Sequence, residues 1–322
     1  MTGPPLEVRG LVKRYGDLTA VDGVDLTVAE GDVYGYLGPN GAGKTTSLRM
    51  MLGLIRPTEG TVRLFGRDPQ DGVRALEGVA GFVEEPRFYP YLSGRRNLEL
   101  LAAFDGDGAA ERIGEVLDLV ELTDRAKDKV RGYSHGMRQR LGIAASLLRA
   151  PRLLLLDEPT TGLDPAGMRD MRALVRRLAD SGMTVVLSSH LLGEVEEVCD
   201  RVAIIRTGRV VYEGAIAELK RTAVVGYRVH TTDDERALAV CAAQAGVTDA
   251  RATGGAVRFA AGEEAVAGLS VALVEAGLAL LELVPETASL EDLFFRLTEG
   301  TGEAGADNGS PAPSATVAAE AP

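Results

Sequence analysis

The densest chemistry in this 322-residue chain lies in nine consecutive residues, Gly38, Pro39, Asn40, Gly41, Ala42, Gly43, Lys44, Thr45 and Thr46. Their spacing fits G-x-x-x-x-G-K-[ST] through Gly38, Gly43, Lys44 and Thr45, a pattern that wraps phosphate groups. The glycines let the backbone curl until its N–H groups point at phosphate oxygens. A helix starting at the lysine adds the partial positive charge of its N-terminus. In such a loop Lys44 neutralises β- and γ-phosphates, and Thr45 offers its hydroxyl to Mg²⁺. The bland alternative is a glycine-rich turn ahead of an ordinary helix. The short apolar strand before the loop and the helical period after it argue against that alternative.

Two further places could complete a phosphate site. Leu153–Leu156 is a buried-strand pattern that ends in Asp157 and Glu158. Asp157 would hold the metal, directly or through water, and Glu158 could accept a proton from an attacking water, as a general base does. Taken alone, an Asp-Glu pair after a leucine run is only a strand leaving the core. The stretch VVLSSH (185–190) likewise ends in His190. A lone histidine is more often structural. In an open α/β sheet, however, ligands bind beyond the carboxyl ends of the strands. Three strand ends carrying Lys44, Asp157 with Glu158, and His190 would then converge.

The elements that must position these groups alternate. Strands are expected at 6–15, 24–28, 32–37, 61–66, 153–156 and 185–188, with helices at 45–54 and 165–181. Apolar spacings of three and four mark 98–150 as helical. Residues 202–205 and 210–213 straddle Thr207-Gly208 as a hairpin. Strands alternating with helices imply an α/β core with parallel strands. Beyond about residue 221 the order becomes strand (225–230), helix (233–245), hairpin (247–252 and 256–260), helix (263–276), strand (278–284) and a last helix (290–297). That is a β-α-β-β-α-β, ferredoxin-like order. Residues 300–322 are Gly, Ala, Pro and Ser with a few acids, too polar to bury a core, and read as a disordered tail.

Charge separates these parts. The whole chain carries 35 basic and 47 acidic side chains, a net of −12. Residues 1–221 are close to neutral at −2, 222–299 carry −7 and 300–322 carry −3. Such a balance excludes binding nucleic acid through a general basic surface. Two cysteines, Cys199 and Cys241, are too few for a disulfide framework and point to a reducing compartment. The N-terminus shows no secretory pattern. The most apolar stretch, 265–284, is broken by Gly277 and carries Glu275 and Glu282, so it reads as a core helix followed by a strand.

With these motifs in place, residues 6–220 resemble the ATP-binding subunits of ABC transporters. The resemblance extends to a signature normally written LSGGQ, which stands here as Tyr133-Ser134-His135-Gly136-Met137. The fold implied is a P-loop NTPase of ABC type spanning 1–221, with a helical subdomain at about 86–150. The ferredoxin-like α+β domain at 222–299 follows it. The cofactors implied are ATP and Mg²⁺. Tyr15 matches the aromatic that stacks on adenine, and Asp164, in Gly162-Leu163-Asp164, matches a loop that crosses a dimer interface. Ser134 and Gly136 match the segment that reaches the γ-phosphate of ATP held by the other subunit. Glu85, in GFVEEP, stands where the family usually has a glutamine that touches Mg²⁺. His135 and Met137 depart from the signature.

The stretches EEPRFYPYLSGRRNL (84–98), YSHGMRQRLGIA and SLEDLFFRLT (289–298) resemble exporters of bacitracin, lantibiotics and other antibiotics. The activity implied is ATP hydrolysis, with Glu158 and His190 as the catalytic pair. The assembly implied is a homodimer on a separate transmembrane permease subunit, at the cytoplasmic face of the membrane and without nucleic acid. An importer ATPase, or a soluble ABC-type ATPase acting on ribosomes or DNA, stays open as an alternative. The 222–299 domain is expected to stabilise or dimerise, with His230 and Cys241 in structural roles.

Overall fold

The computed structural model describes residues 3–105, 108–222 and 224–287. The expected last helix at 290–297, Phe294 and Phe295 within it, the 289–298 stretch and the 300–322 tail lie outside the described residues.

The chain starts with β1 (Leu6–Tyr15), β2 (Leu18–Val28), β3 (Val33–Leu37), α1 (Lys44–Met51), β4 (Glu59–Leu64) and β5 (Val79–Phe82). Three helices follow: α2 (Gly94–Ala102), α3 (Ile113–Leu119) and α4 (His135–Leu147). Then come β6 (Leu153–Leu156), α5 (Pro165–Asp180), β7 (Thr184–Ser189), α6 (Leu192–Val198), β8 (Arg201–Arg206), β9 (Arg209–Ala215) and α7 (Ile216–Thr222). The remainder is β10 (Val224–Thr231), α8 (Asp234–Ala243), β11 (Val247–Ala252), β12 (Val257–Ala261), α9 (Glu263–Glu275) and β13 (Leu280–Thr287).

Six strands form a sheet in the order β5-β6-β7-β3-β8-β9, parallel except for β9, which closes the hairpin with β8. Strands β3, β6 and β7 are buried along their whole length, which explains their unbroken apolar runs. Alternate residues serve two cores. Tyr34, Tyr36, Leu153, Leu155 and Val186 face a separate antiparallel sheet, β2-β1-β4, together with Leu48 and Met51 of α1. Val33, Leu37, Leu154, Leu156 and Val185 face the opposite way, in a core shared with α2, α3, α4 and α5.

Among the departures from expectation, three segments have a clear physical reason. β2 begins at Leu18 rather than Val24, because its first residues pair with the end of β1. β5 has four residues, too few for a periodic signal, and is held by Leu153–Leu156 beside it. α6 has seven residues; Leu192, Val195 and Val198 are buried, but the run is shorter than any reliable periodic window.

The second α/β unit has strand order β11-β12-β10-β13, all antiparallel, which is the ferredoxin-like arrangement. Val229, Cys241, Val257, Phe259, Leu269 and Leu273 form its core. The apolar stretch 265–284 resolves into α9 and β13. Among the described residues no helix is long and apolar enough to cross a membrane.

Candidate active site

The sheet order sets β6, β7 and β3 side by side, so the loops leaving their carboxyl ends open into one place. The loop after β3 carries the phosphate-binding pattern. Gly43 caps α1 with φ 103°, a backbone conformation that side chains rarely adopt. A Cβ there would also lie 2.4 Å from the Ala20 carbonyl oxygen. Pro39, Asn40 and Gly41 are exposed, while Thr45 and Thr46 are half-buried at the start of the helix.

Lys44 is almost wholly buried, with its side chain 4% exposed. Its ammonium donates to the Gly38 carbonyl at 2.8 Å and the Pro39 carbonyl at 3.2 Å, and lies 3.1 Å from Glu158 Oε1. The other carboxylate oxygen of Glu158 is 3.0 Å from His190 Nδ1 and accepts from the Thr161 hydroxyl at 2.8 Å. Burial pushes the Glu158 carboxyl up. The hydrogen bonds from Thr161 and Lys44, with the charges of Lys44 and His190, outweigh burial and hold it below the ordinary carboxylate value. Glu158 sits at φ 45°, strained for a non-glycine residue, so the turn itself aims the side chain.

Ser188, on β7, links the two acids. Its hydroxyl donates to Asp157 Oδ1 at 2.6 Å and accepts from the Glu158 N–H at 2.9 Å. Asp157 is buried, and the Ser188 bond uses only its Oδ1. A carboxylate and a threonine hydroxyl are hard oxygen donors of the kind Mg²⁺ takes, alongside phosphate oxygens. Among the described residues there is no His, Cys, Asp and Glu cluster that would hold a metal by itself. The fit is therefore to a cation that arrives with phosphate.

Glu194 of α6 lies beneath these loops and was not anticipated from sequence. It is buried, and its Oε2 accepts from the Thr160 hydroxyl at 2.7 Å and the Ser189 hydroxyl at 2.8 Å. Thr160 follows Glu158 by two residues and Ser189 precedes His190, so one carboxylate ties both loops. Its Oε1 is buried with no hydrogen-bond partner among the described residues. The only sequence trace is an acid four residues beyond His190, on a helix too short to notice.

Other expected residues lie apart from this cluster. Tyr15 ends β1, half exposed, with Lys13 Nζ 5.1 Å from its ring centroid. Ser134 caps α4 by accepting from the Met137 N–H at 3.2 Å, and Gly136 lies in the first turn. Asp164 caps α5 by accepting from the Gly167 N–H at 2.9 Å. Glu85 stands in the loop after β5. Its ion pairs among the described residues run to α4, with His135 Nδ1 at 3.3 Å and Arg138 Nε at 3.4 Å, and not to the phosphate loop. In the second unit, His230 Nδ1 lies 2.9 Å from Asp234 Oδ2 and Cys241 is buried.

Similar known proteins cover most of the chain. The family described as ABC transporter matches residues 21–161. The uncharacterised ABC transporter ATP-binding protein YdbJ of Bacillus subtilis (strain 168) is 39% identical over 307 residues, covering 95% of this chain and 99% of that protein. The bacitracin transport ATP-binding protein BcrA of Bacillus licheniformis is 38% identical over 298 residues, covering 92% of this chain and 97% of that protein. Among solved structures, the ATP-binding cassette MJ0796 in a dimeric post-hydrolysis state bound to ADP and Pi superposes with a TM-score of 0.59 at 27% identity, over 66% of this chain and 98% of that one.

Proposed function

The chain belongs to the ATP-binding proteins of ABC transporters, and from that premise we propose that it hydrolyses ATP to drive export of an antibiotic or similar amphipathic compound through a separate membrane subunit. The observation that carries the hydrolytic part is Glu158 held between Lys44 at 3.1 Å and His190 at 3.0 Å, beside a phosphate-binding loop. The export part rests on similarity over nearly the whole chain to a bacitracin transport protein.

In this reading the loop from Gly38 to Thr46 cradles the β- and γ-phosphates with its N–H groups, and Tyr15 offers a face to adenine. Thr45 and Asp157 hold Mg²⁺, which when bound supplies positive charge on the phosphate oxygens. Glu85, the third expected neighbour of the metal, has its carboxylate paired with α4 among the described residues. Glu158 takes the proton of the attacking water. His190 keeps Nδ1 on Glu158, which leaves Nε2 to face the γ-phosphate. A γ-phosphate also competes with Glu158 for Lys44. Losing that cation raises the proton affinity of the carboxylate just where the water must be deprotonated.

Ser134 and the first turn of α4 bring a helix N-terminus to a second copy's phosphates, so two ATP molecules join two chains. Hydrolysis removes that link and frees the interface, which moves the membrane subunit. Asp164 lies on the loop that crosses between the copies. The dimer docks on the membrane subunit at the cytoplasmic face.

The test is steady-state phosphate release by the purified chain with Mg²⁺ and ATP. Glu158→Gln is expected to lower turnover by at least about 100-fold while keeping ATP binding, and to run as an ATP-dependent dimer on size exclusion. Turnover at the parental rate would remove Glu158 as the base. A deletion strain hypersensitive to amphipathic antibiotics supports export; a strain that instead loses uptake of a nutrient overturns it.

A further inference from the structure

Two positions at which this chain departs from its family meet in space. His135 stands where the signature has a glycine, and Glu85 where a glutamine is usual. The His135 ring is half-buried at the start of α4, with Nδ1 3.3 Å from Glu85 Oε1. Its Nε2 lies 3.0 Å from the Thr161 carbonyl oxygen, so each ring nitrogen faces an acceptor, an arrangement that the doubly protonated ring satisfies with both of its N–H groups. The ring also packs on the next residue: a Cβ at Gly162 would lie 3.3 Å from His135 Nε2. Thr161 is in turn bound to Glu158 twice, its N–H donating to the Glu158 carbonyl at 3.1 Å and its hydroxyl donating to Oε2 at 2.8 Å. Arg138, one turn along α4, holds the same Glu85 oxygen at 3.4 Å.

We propose that His135 is a positioning residue for Glu158, forming with Glu85 a strut from the loop after β5, across the start of α4, to the loop that carries the base. A glycine at 135 cannot make either contact. The strut acts on the carboxylate only through Thr161: it holds the carbonyl of the residue whose N–H and hydroxyl both bond Glu158. Side-chain freedom at Thr161 becomes freedom of the base, and a base that wanders reduces the fraction of time spent in reach of the attacking water. Because α4 also carries Ser134, the same strut sets the spacing between the chain's own base and the surface it presents to a second copy. Glu85 matters here as the partner of His135.

The inference rests on Glu158 as the base, and the experiment keeps the two apart. The purified full chain is compared with His135→Gly, Glu85→Gln and the double variant, reading kcat and KM for ATP and thermal unfolding. His135→Gly is expected to lower kcat about 3- to 10-fold with KM within about twofold. Glu85→Gln is expected to lower kcat less. The double variant should be no slower than His135→Gly, because both changes cut one path. His135→Gln, which can still donate to the Thr161 carbonyl, is expected to recover part of kcat. Multiplicative losses in the double variant, an effect on KM alone, or a fall in kcat that Gln does not relieve would each overturn the strut. In a Glu158→Gln background His135→Gly should change nothing further. If Glu158→Gln itself turns over at the parental rate, the base assignment fails, and the strut is overturned with it only if the 85–135 coupling is absent too.

Discussion

Lys44 and Arg258 each face a glutamate at bonding distance, at 3.1 Å from Glu158 and 2.8 Å from Glu286, but in unlike surroundings. Lys44 is 4% exposed and shares Glu158 with a histidine and a threonine hydroxyl. Arg258 is 45% exposed on β12 of the β11-β12-β10-β13 sheet. There it lies directly opposite Arg228 on β10. Like charges so placed repel, and Glu282 and Glu286 of β13 offset that repulsion by pairing with Arg228 and Arg258. The same residue types thus do two jobs. In the buried cluster Thr161, Lys44 and His190 together hold the Glu158 carboxyl down. On the exposed sheet the charges keep one face wet and soluble, and solvent screens each pair.

Replacing Lys44 with Ala should sharpen this contrast most. It strands Glu158 and removes the phosphate charge, so ATP binding measured by calorimetry should be lost and unfolding free energy should fall by about 3 kcal/mol. Next is Glu194→Ala, which leaves the Thr160 and Ser189 hydroxyls without their acceptor; urea denaturation should show a loss of about 2 kcal/mol, with kcat falling because both catalytic loops loosen. A smaller effect concerns acid. The Glu158 carboxyl titrates below its unfolded value, so its contribution to stability is present above about pH 4.5 and is lost as pH falls through the lower folded value. The melting temperature of Glu158→Gln should therefore fall less steeply than the parent's between about pH 5 and 2. Smallest of all, Arg258→Ala should cost under about 1 kcal/mol and shrink further in high salt. If Arg258→Ala costs as much as Lys44→Ala, the contrast between the two regions is wrong.

Much of the core could be read in advance because its signals are local. The strands at 153–156 and 185–188, the glycine loop and the two acids are contiguous stretches whose period or backbone needs show in a few residues. The short elements could not be read. β5 and α6 have too few residues for a period and are held by neighbours distant in sequence. Glu194 and Ser188 carry no motif; their roles exist only because β6, β7 and α6 meet. The pairing of Glu85 with His135 and Arg138 of α4 likewise carries no local signal.

What the sequence determined by itself was the presence of a phosphate loop, an acid pair after a buried strand, and the change from a nearly neutral α/β part to an acidic ferredoxin-like one. Those follow from side-chain period, glycine placement and charge count, which need no partner. The tertiary structure alone decided that His190 and Lys44 share Glu158, that Glu194 ties two loops from below, and that His135 joins Glu85 to Thr161. Apart from the Ser189–Glu194 bond, five residues apart, each is a hydrogen bond or ion pair between segments far apart in the chain. Ångström-scale distances of that kind come from packing, and no local spacing encodes them.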